Sequence, residues 1–121
     1  MSIPDTVDSV AARMSSATII FNLALVDHLS NRFSTQAISL YELASTLISG
    51  YPCNTLGLAL LNNIGVWCYE SGDTTASERC MKELLKLVEK HGDSMDPRER
   101  QGVLNNIHWF LNPHFTASPA A

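Results

Sequence analysis

Three stretches of this chain repeat one local pattern: FNLALV at 21–26, LNNIGVW at 61–67 and LNNIHWF at 104–110. A pattern returning at intervals of a few tens of residues marks stacked helical units, each offering an apolar face that only its neighbours can bury. Aligning Leu23, Ile64 and Ile107 gives spacings of 41 and 43 residues. That is longer than the roughly 34 of a compact helix-turn-helix repeat, and within the general range of helical solenoids.

Start and stop signals divide the chain into five helices around these stretches. In the first, over 7–29, Val10, Met14, Phe21, Leu25 and Leu29 recur at helical spacing before Asn31. Ser34 caps a second, over 34–49, whose Ala37, Leu40, Tyr41, Ala44, Leu47 and Ile48 share a face ahead of the Gly50, Tyr51, Pro52 turn. The third, over 55–71, carries Leu56, Ala59, Leu60, Ile64, Trp67 and Cys68, with Gly72 placed for a left-handed stop. Asp73 or Thr74 caps the fourth, which turns Met81, Leu84, Leu85 and Val88 inward and Lys82, Glu83, Lys86, Glu89 and Lys90 outward, and ends near Gly92. In the fifth, Asp96 caps, Pro97 takes the first helical position and Glu99 stands where a capping box needs it; Pro113 stops it after Asn112. No segment alternates apolar and polar residues over strand length, so the fold is all-α. The expected organisation is a partly helical lead-in over 1–17, a helical domain over 18–112 and a flexible tail over 113–121.

The second unit, LLNNIGVWCYESGDTTASERCMKELLKLVEK, resembles a tetratricopeptide repeat. Ile64 and Gly65 match the family's Leu-Gly pair, Gly72 and Asp73 its Gly-Asp turn, and Met81 and Leu84 its packing residues on the second helix; Cys68 and Ser77 depart from the usual tyrosine and alanine. The first unit aligns Leu23 with Ala24, then Ala37, Tyr41 and Ala44, if its turn takes one additional residue, and Asp27 stands where an aromatic is usual. The resemblance implies a right-handed stack of antiparallel hairpins, two repeats plus a capping C-terminal helix, covering about 18–112. It implies a protein-binding module. The family's carboxylate-gripping class does not fit, since Phe21, Leu25, Gly102 and Asn106 stand where its basic residues would be.

With 121 residues, 45% hydrophobic and 17% charged, the chain can build one real core. Its net charge of −4, from 12 acidic and 8 basic residues scattered along it, offers no footprint for nucleic acid. The fourth helix, with Arg79, Lys82, Lys86 and Lys90 offset by Glu78, Glu83 and Glu89, is too balanced for a DNA-reading element. Cys53, Cys68 and Cys80 are odd in number and lack ligand spacing, so no disulfide framework, metal or other cofactor is expected. Reduced thiols suggest an intracellular, reducing compartment, the cytoplasm first and an organelle left open. The most apolar stretch, 18–26, is broken by Asn22 and closed by Asp27 and His28, so a soluble chain without a membrane span is expected. MSIPDTVDSVAARMSS, with Asp5, Asp8 and one arginine, fits neither a secretory signal nor a transit peptide.

In a stack of hairpins the first helix of each unit lines a concave groove. Helical spacing puts Phe21, Asn22, Leu25 and His28 there from the first unit, and Asn62, Asn63, Val66, Tyr69 and Glu70 from the second. Asn105, Asn106 and Trp109 join them from the fifth helix. An asparagine can donate and accept at once, so Asn22, Asn63 and Asn106 are expected to form a ladder for an extended peptide; the other reading has them bonding backbone groups of neighbouring helices. Trp67, on an apolar helix face, is expected in the core. Trp109, Phe110 and Leu111, on a terminal helix with no following partner, form a second candidate surface, a docking end. The chain is thus expected to be a non-catalytic interaction module or accessory subunit holding a peptide or partner protein, in a larger complex or a homodimer. The alternative is a small enzyme or ligand-binding protein with a pocket near Asp27, His28 and Cys68. Its remaining candidate residues are Cys53, Cys80, His91, His108 and His114. Adjacent helical residues point about 100° apart, so Asp27 does not orient His28 by itself.

Overall fold

The computed structural model describes residues 7–52 and 54–111, with side chains from residue 9 onward. Among the described residues there are five α-helices and no strand: α1 (Val7–Ser30), α2 (Thr35–Ile48), α3 (Thr55–Glu70), α4 (Thr74–His91) and α5 (Pro97–Leu111). Expectations placed on Cys53, Asn112, Pro113, His114, the 113–121 tail and residues 1–6 lie outside that range. α1 runs unbroken through Ala17, with no joint between a lead-in and the rest.

Polar side chains set where the helices begin. Ser34 Oγ accepts from the Ala37 N–H at 3.2 Å, Asn54 Oδ1 from the Gly57 N–H at 2.9 Å and Asp73 Oδ1 from the Ala76 N–H at 3.0 Å. Each satisfies a donor that the first helical turn leaves without a partner. At α5 the expected box is half built. Asp96 Oδ1 accepts from the Arg98 N–H at 3.0 Å, while Glu99 returns no bond among the described residues.

The end of α3 is closed by Gly72, whose φ of +93° lets the Asp73 N–H reach Cys68 O at 2.8 Å and its own N–H reach Tyr69 O at 3.1 Å. This is the paired closure of a Schellman motif, and a side chain at Gly72 would strain it. α4 ends at His91 with Gly92 as its C-cap, where the sequence places its end, and Gly92 keeps a helical φ of −59° that leads into a 3₁₀ turn, Gly92–Ser94.

α1 packs on α2 and α3 on α4 as helical hairpins, and α5 lies against α4. Small residues make the first hairpin close. Ala17 and Ala24 of α1 meet Ala37, Tyr41 and Ala44 of α2 in a core that also takes Leu60. In the second hairpin a Cβ on Gly65 would stand 2.5 Å from Met81 Cε and 3.1 Å from Cys80 Cβ, so α4 approaches α3 where the glycine lets it. A second core joins Leu58, Met81, Leu84, Val88 and Ile107. α3 therefore serves both cores, Leu60 in one and Leu58 in the other. Its sequence is apolar nearly all round, as a sandwiched helix requires.

Of the expected apolar face of α1, Val10, Met14, Phe21 and Leu25 are half-buried, with Phe21 against the first core, and Leu29 falls outside it. Leu29 and Leu23 are exposed, while Ala17 and Ala24 are fully buried against α2. The Leu23, Ile64, Ile107 alignment consequently joins an exposed, a half-buried and a buried residue. α1 is also more apolar on average than its broken runs suggest: Ser9–Ser30, with mean hydropathy 1.4, is long and apolar enough to cross a membrane by length and composition.

Candidate functional site

α1, α3 and α5 run in the same direction. Met14 lies by Asn54 at one end of the α1–α3 pair and His28 by Glu70 at the other, while Asn62 and Tyr69 of α3 meet Asn106 and Trp109 of α5 in the same order. Between α1 and α5, with α3 as the floor, a cavity of about 310 Å³ opens. Phe21 and Leu25 of α1 form one wall, and Gly102 and Val103 of α5, with Met95 before it, form the other. The floor is Leu58, Ala59, Asn62 and Asn63, with Asn106 beside them and Thr55 and Glu99 toward one end. Predominantly apolar walls around a few polar groups are the usual make-up of a binding cavity.

The floor amides are the start of a buried polar chain. Asn106 Nδ2 donates to Asn62 Oδ1 at 2.9 Å, Asn62 Nδ2 to Asn63 Oδ1 at 2.9 Å, and Asn63 Nδ2 to the Tyr41 hydroxyl at 3.5 Å. The Tyr41 O–H then donates to His28 Nδ1 at 2.9 Å, and His28 Nε2–H to Glu70 Oε1 at 2.9 Å. With His28 neutral, every donor points the same way and the chain ends on a carboxylate, which can only accept. Arg32 Nε stands 3.8 Å from the other Glu70 oxygen, at the exposed end. Burial pushes the Tyr41 phenol up to about 12, with the Asn63 bond opposing and the Glu70 carboxylate adding. Tyr41 thus remains the neutral donor that the chain requires.

This arrangement separates the expected site residues. Phe21, Leu25, Asn62, Asn63 and Asn106 come together at the cavity. Asn22 points away and is exposed, so Asn22, Asn63 and Asn106 form no ladder. Asn62, Asn63 and Asn106 are only 8, 3 and 8% exposed and engage one another rather than lying open along a groove. The bonds between them run side chain to side chain, a third arrangement beside ligand ladder and backbone pairing. His28 is buried inside the chain just described, Val66 is in the core, and Asn105 is exposed on the outer side of α5, taking a bond from Gln101 at 2.8 Å. Trp67 packs against the first core and donates from Nε1 to Ser34 O at 2.9 Å.

The sequence reading missed Met95, in the connection before α5, and on the helices Thr55, Leu58, Ala59, Glu99, Gly102 and Val103. The helical ones all lie three, four or seven residues before Asn62, Asn63 or Asn106, so extending the asparagine face by two turns toward the helix starts finds them. Tyr69, Trp109 and Phe110 gather at the other end of α3 and α5 as a cluster of edge-on rings, with centroids 4.9 to 5.1 Å apart. Leu111 is half-buried and joins the second core. The Trp109 indole N–H is buried without a partner among the described residues.

Asp27, His28 and Cys68 do not converge. Both ring nitrogens of His28 are taken by Tyr41 and Glu70, and no hydrogen bond joins it to Cys68 among the described residues. Burial pushes the Cys68 thiol up to about 11, with Cys80 and Asp73 adding, and burial raises the Cys80 thiol as well. Such thiols hold little of the nucleophilic thiolate near neutrality. The described residues contain no group of three or more His, Cys, Asp or Glu placed to hold a metal ion. No known family, curated protein or solved structure matches the chain.

Proposed function

We propose that the protein is a non-catalytic binding module, a short tetratricopeptide-like stack of two hairpins and a capping helix, whose cavity between α1, α3 and α5 takes an apolar side chain from a segment of a partner protein. The observation that carries this reading is the cavity itself: about 310 Å³, walled by Phe21, Leu25, Met95 and Val103 and floored by α3. Its place supports the stacked reading, because first helices lying side by side in one direction are the helices that line the concave side of a hairpin solenoid. The Gly65 approach to Met81 and the Gly72 closure support the same resemblance.

The amides enter differently from the peptide ladder expected of them. Asn62 and Asn63 already donate and accept within the polar chain. Selection in this reading rests on apolar fit to the walls, with the amides fixing the distance between α3 and α5. Glu99, at one end of the cavity and exposed, favours a basic residue beside the anchor.

The test is selection from a displayed random-peptide library. Peptides sharing a Leu-, Phe- or Met-type anchor should bind the native protein and lose at least tenfold in affinity to Ala59→Phe, which fills the cavity floor. Trp109→Ala, at the aromatic end, should bind as the native protein does. Loss in Trp109→Ala with retention in Ala59→Phe would move the site to the docking end, and no selected peptide at all would sink the reading.

A further inference from the structure

Down the side of α1 turned away from the cavity runs a second apolar stripe that no described residue covers. Ala12, Ser16, Ile19, Leu23, Val26 and Ser30 are all exposed and follow one another at alternating steps of four and three residues. That alternation is the seam period of a coiled coil. Ile19 is 61%, Leu23 55% and Val26 62% exposed, with Leu29 at 70% beside them. At about 100° per residue this stripe lies nearly opposite Phe21 and Leu25. Its occupant therefore does not compete for the cavity.

We infer that this stripe is the contact between two copies of the chain, with the α1 helices packed antiparallel about a two-fold axis between Leu23 and Val26. The stripe is complementary to itself in that register. Leu23 of each copy meets Val26 of the other, and Ile19 meets Ser30, so a bulky side chain faces a smaller one in each of these layers, while Ala12 and Ser16 lie beyond the end of the partner's α1. A parallel pair would set Leu23 on Leu23, Ile19 on Ile19 and Ser30 on Ser30, crowding some layers and emptying others. No charged residue lies between Arg13 and Asp27. The face neither repels its own copy in a chain of net charge −4 nor offers anything to a charged partner.

Size is adequate. In this register the two helices overlap over 19–30, about 18 Å at the helical rise, and all four large exposed side chains, Ile19, Leu23, Val26 and Leu29, fall within it. Its exposed apolar side chains cover on the order of 500 Å² per copy, so a pair reaches the ~1,000 Å² of a specific interface. A lipid bilayer is the rival occupant, since Ser9–Ser30 passes by length and composition. Spanning it would tear Ala17 and Ala24 from α2 and His28 from Tyr41 and Glu70. Lying on it would expect lysine and arginine along the flanks. Ser15, Thr18 and Asn22 stand there instead.

Sedimentation equilibrium on the full chain tests this, using the native protein, Leu23→Glu, Val26→Lys and an equimolar mixture of the two variants. The native chain should sediment as two copies. Each variant should fall to half that mass with an unchanged helical circular dichroism spectrum. The mixture should recover the doubled mass, because the antiparallel register sets the carboxylate introduced by Leu23→Glu opposite the ammonium introduced by Val26→Lys. Leu43→Glu, an exposed site on α2, should remain a dimer. A native monomer at high micromolar concentration, or a dimer that survives Leu23→Glu, would overturn the proposal. A mixture that stays monomeric overturns the register. If the native chain is monomeric in buffer and floats with neutral phosphatidylcholine vesicles, and Leu23→Glu does not float, the face belongs to lipid and the proposal is wrong.

Discussion

Single side chains in this protein matter most where they have no water to fall back on. The one-way chain from Asn106 to Glu70 holds five donors in series, and removing a member takes a bond from a buried neighbour. Asn62→Ala should cost about 2 kcal/mol in urea unfolding, since it takes one bond from Asn63 on α3 and one from Asn106 on α5. A cost near zero would mean that the amides are not the joint between those helices. Ser77 makes the opposite case. Its hydroxyl is buried without a partner among the described residues. Ser77→Ala should raise stability by roughly 1 kcal/mol in the same measurement.

Tyr41 adds a pH dependence. Its phenol is raised from 10.0 to about 12, so the proton is held more tightly folded than unfolded. The stability it contributes is complete below pH 10 and is lost as pH climbs toward 12. In an ultraviolet titration one of the three tyrosines should ionise last, near pH 12, together with loss of helix, and Tyr41→Phe should lack that late step.

Helices were legible from the sequence wherever one residue carried the signal. Ser34 and Asp73 cap as read, and Gly72 closes α3 in the left-handed conformation expected of it. What misled was side-chain size as a guide to burial. Leu23 and Leu29 are bulky yet exposed, while Ala17 and Ala24 are fully buried against α2, because two helices approach furthest where side chains are small.

The two helical glycines of α3 and α5 that matter most should respond in opposite directions. Gly65→Ala pushes a methyl into Met81 and Cys80 and should cost about 1–3 kcal/mol, softened by the flexibility of the methionine. Gly102→Ala meets nothing within 4 Å and should stabilise α5 by roughly 0.5–1 kcal/mol. It also narrows the cavity it lines, so a peptide bound there should weaken as the protein strengthens.

At the scale of the whole molecule, α3 is the shared member. It contributes Leu60 to one core and Leu58 to the other, and the polar chain crosses it from α5 to α1. Nothing local in the sequence announces this sharing; the near-continuous apolar composition of α3 is its only trace. The candidate site was half legible for the same reason. The asparagine repeat pointed to the right helices, but which end of them holds the cavity depends on how α1 and α5 splay across α3, a tertiary matter.

The proposed function requires that this cavity, and not the aromatic end or the outer stripe of α1, receives a partner's side chain. A two-dimensional amide spectrum of the isotopically labelled protein, titrated with a library-selected peptide, reads that choice residue by residue. The resonances of Leu25, Ala59, Gly102 and Val103 should move together and saturate together. Shifts confined to Tyr69, Trp109 and Phe110, or to Leu23 and Val26, would place the peptide elsewhere and refute the cavity as the binding site.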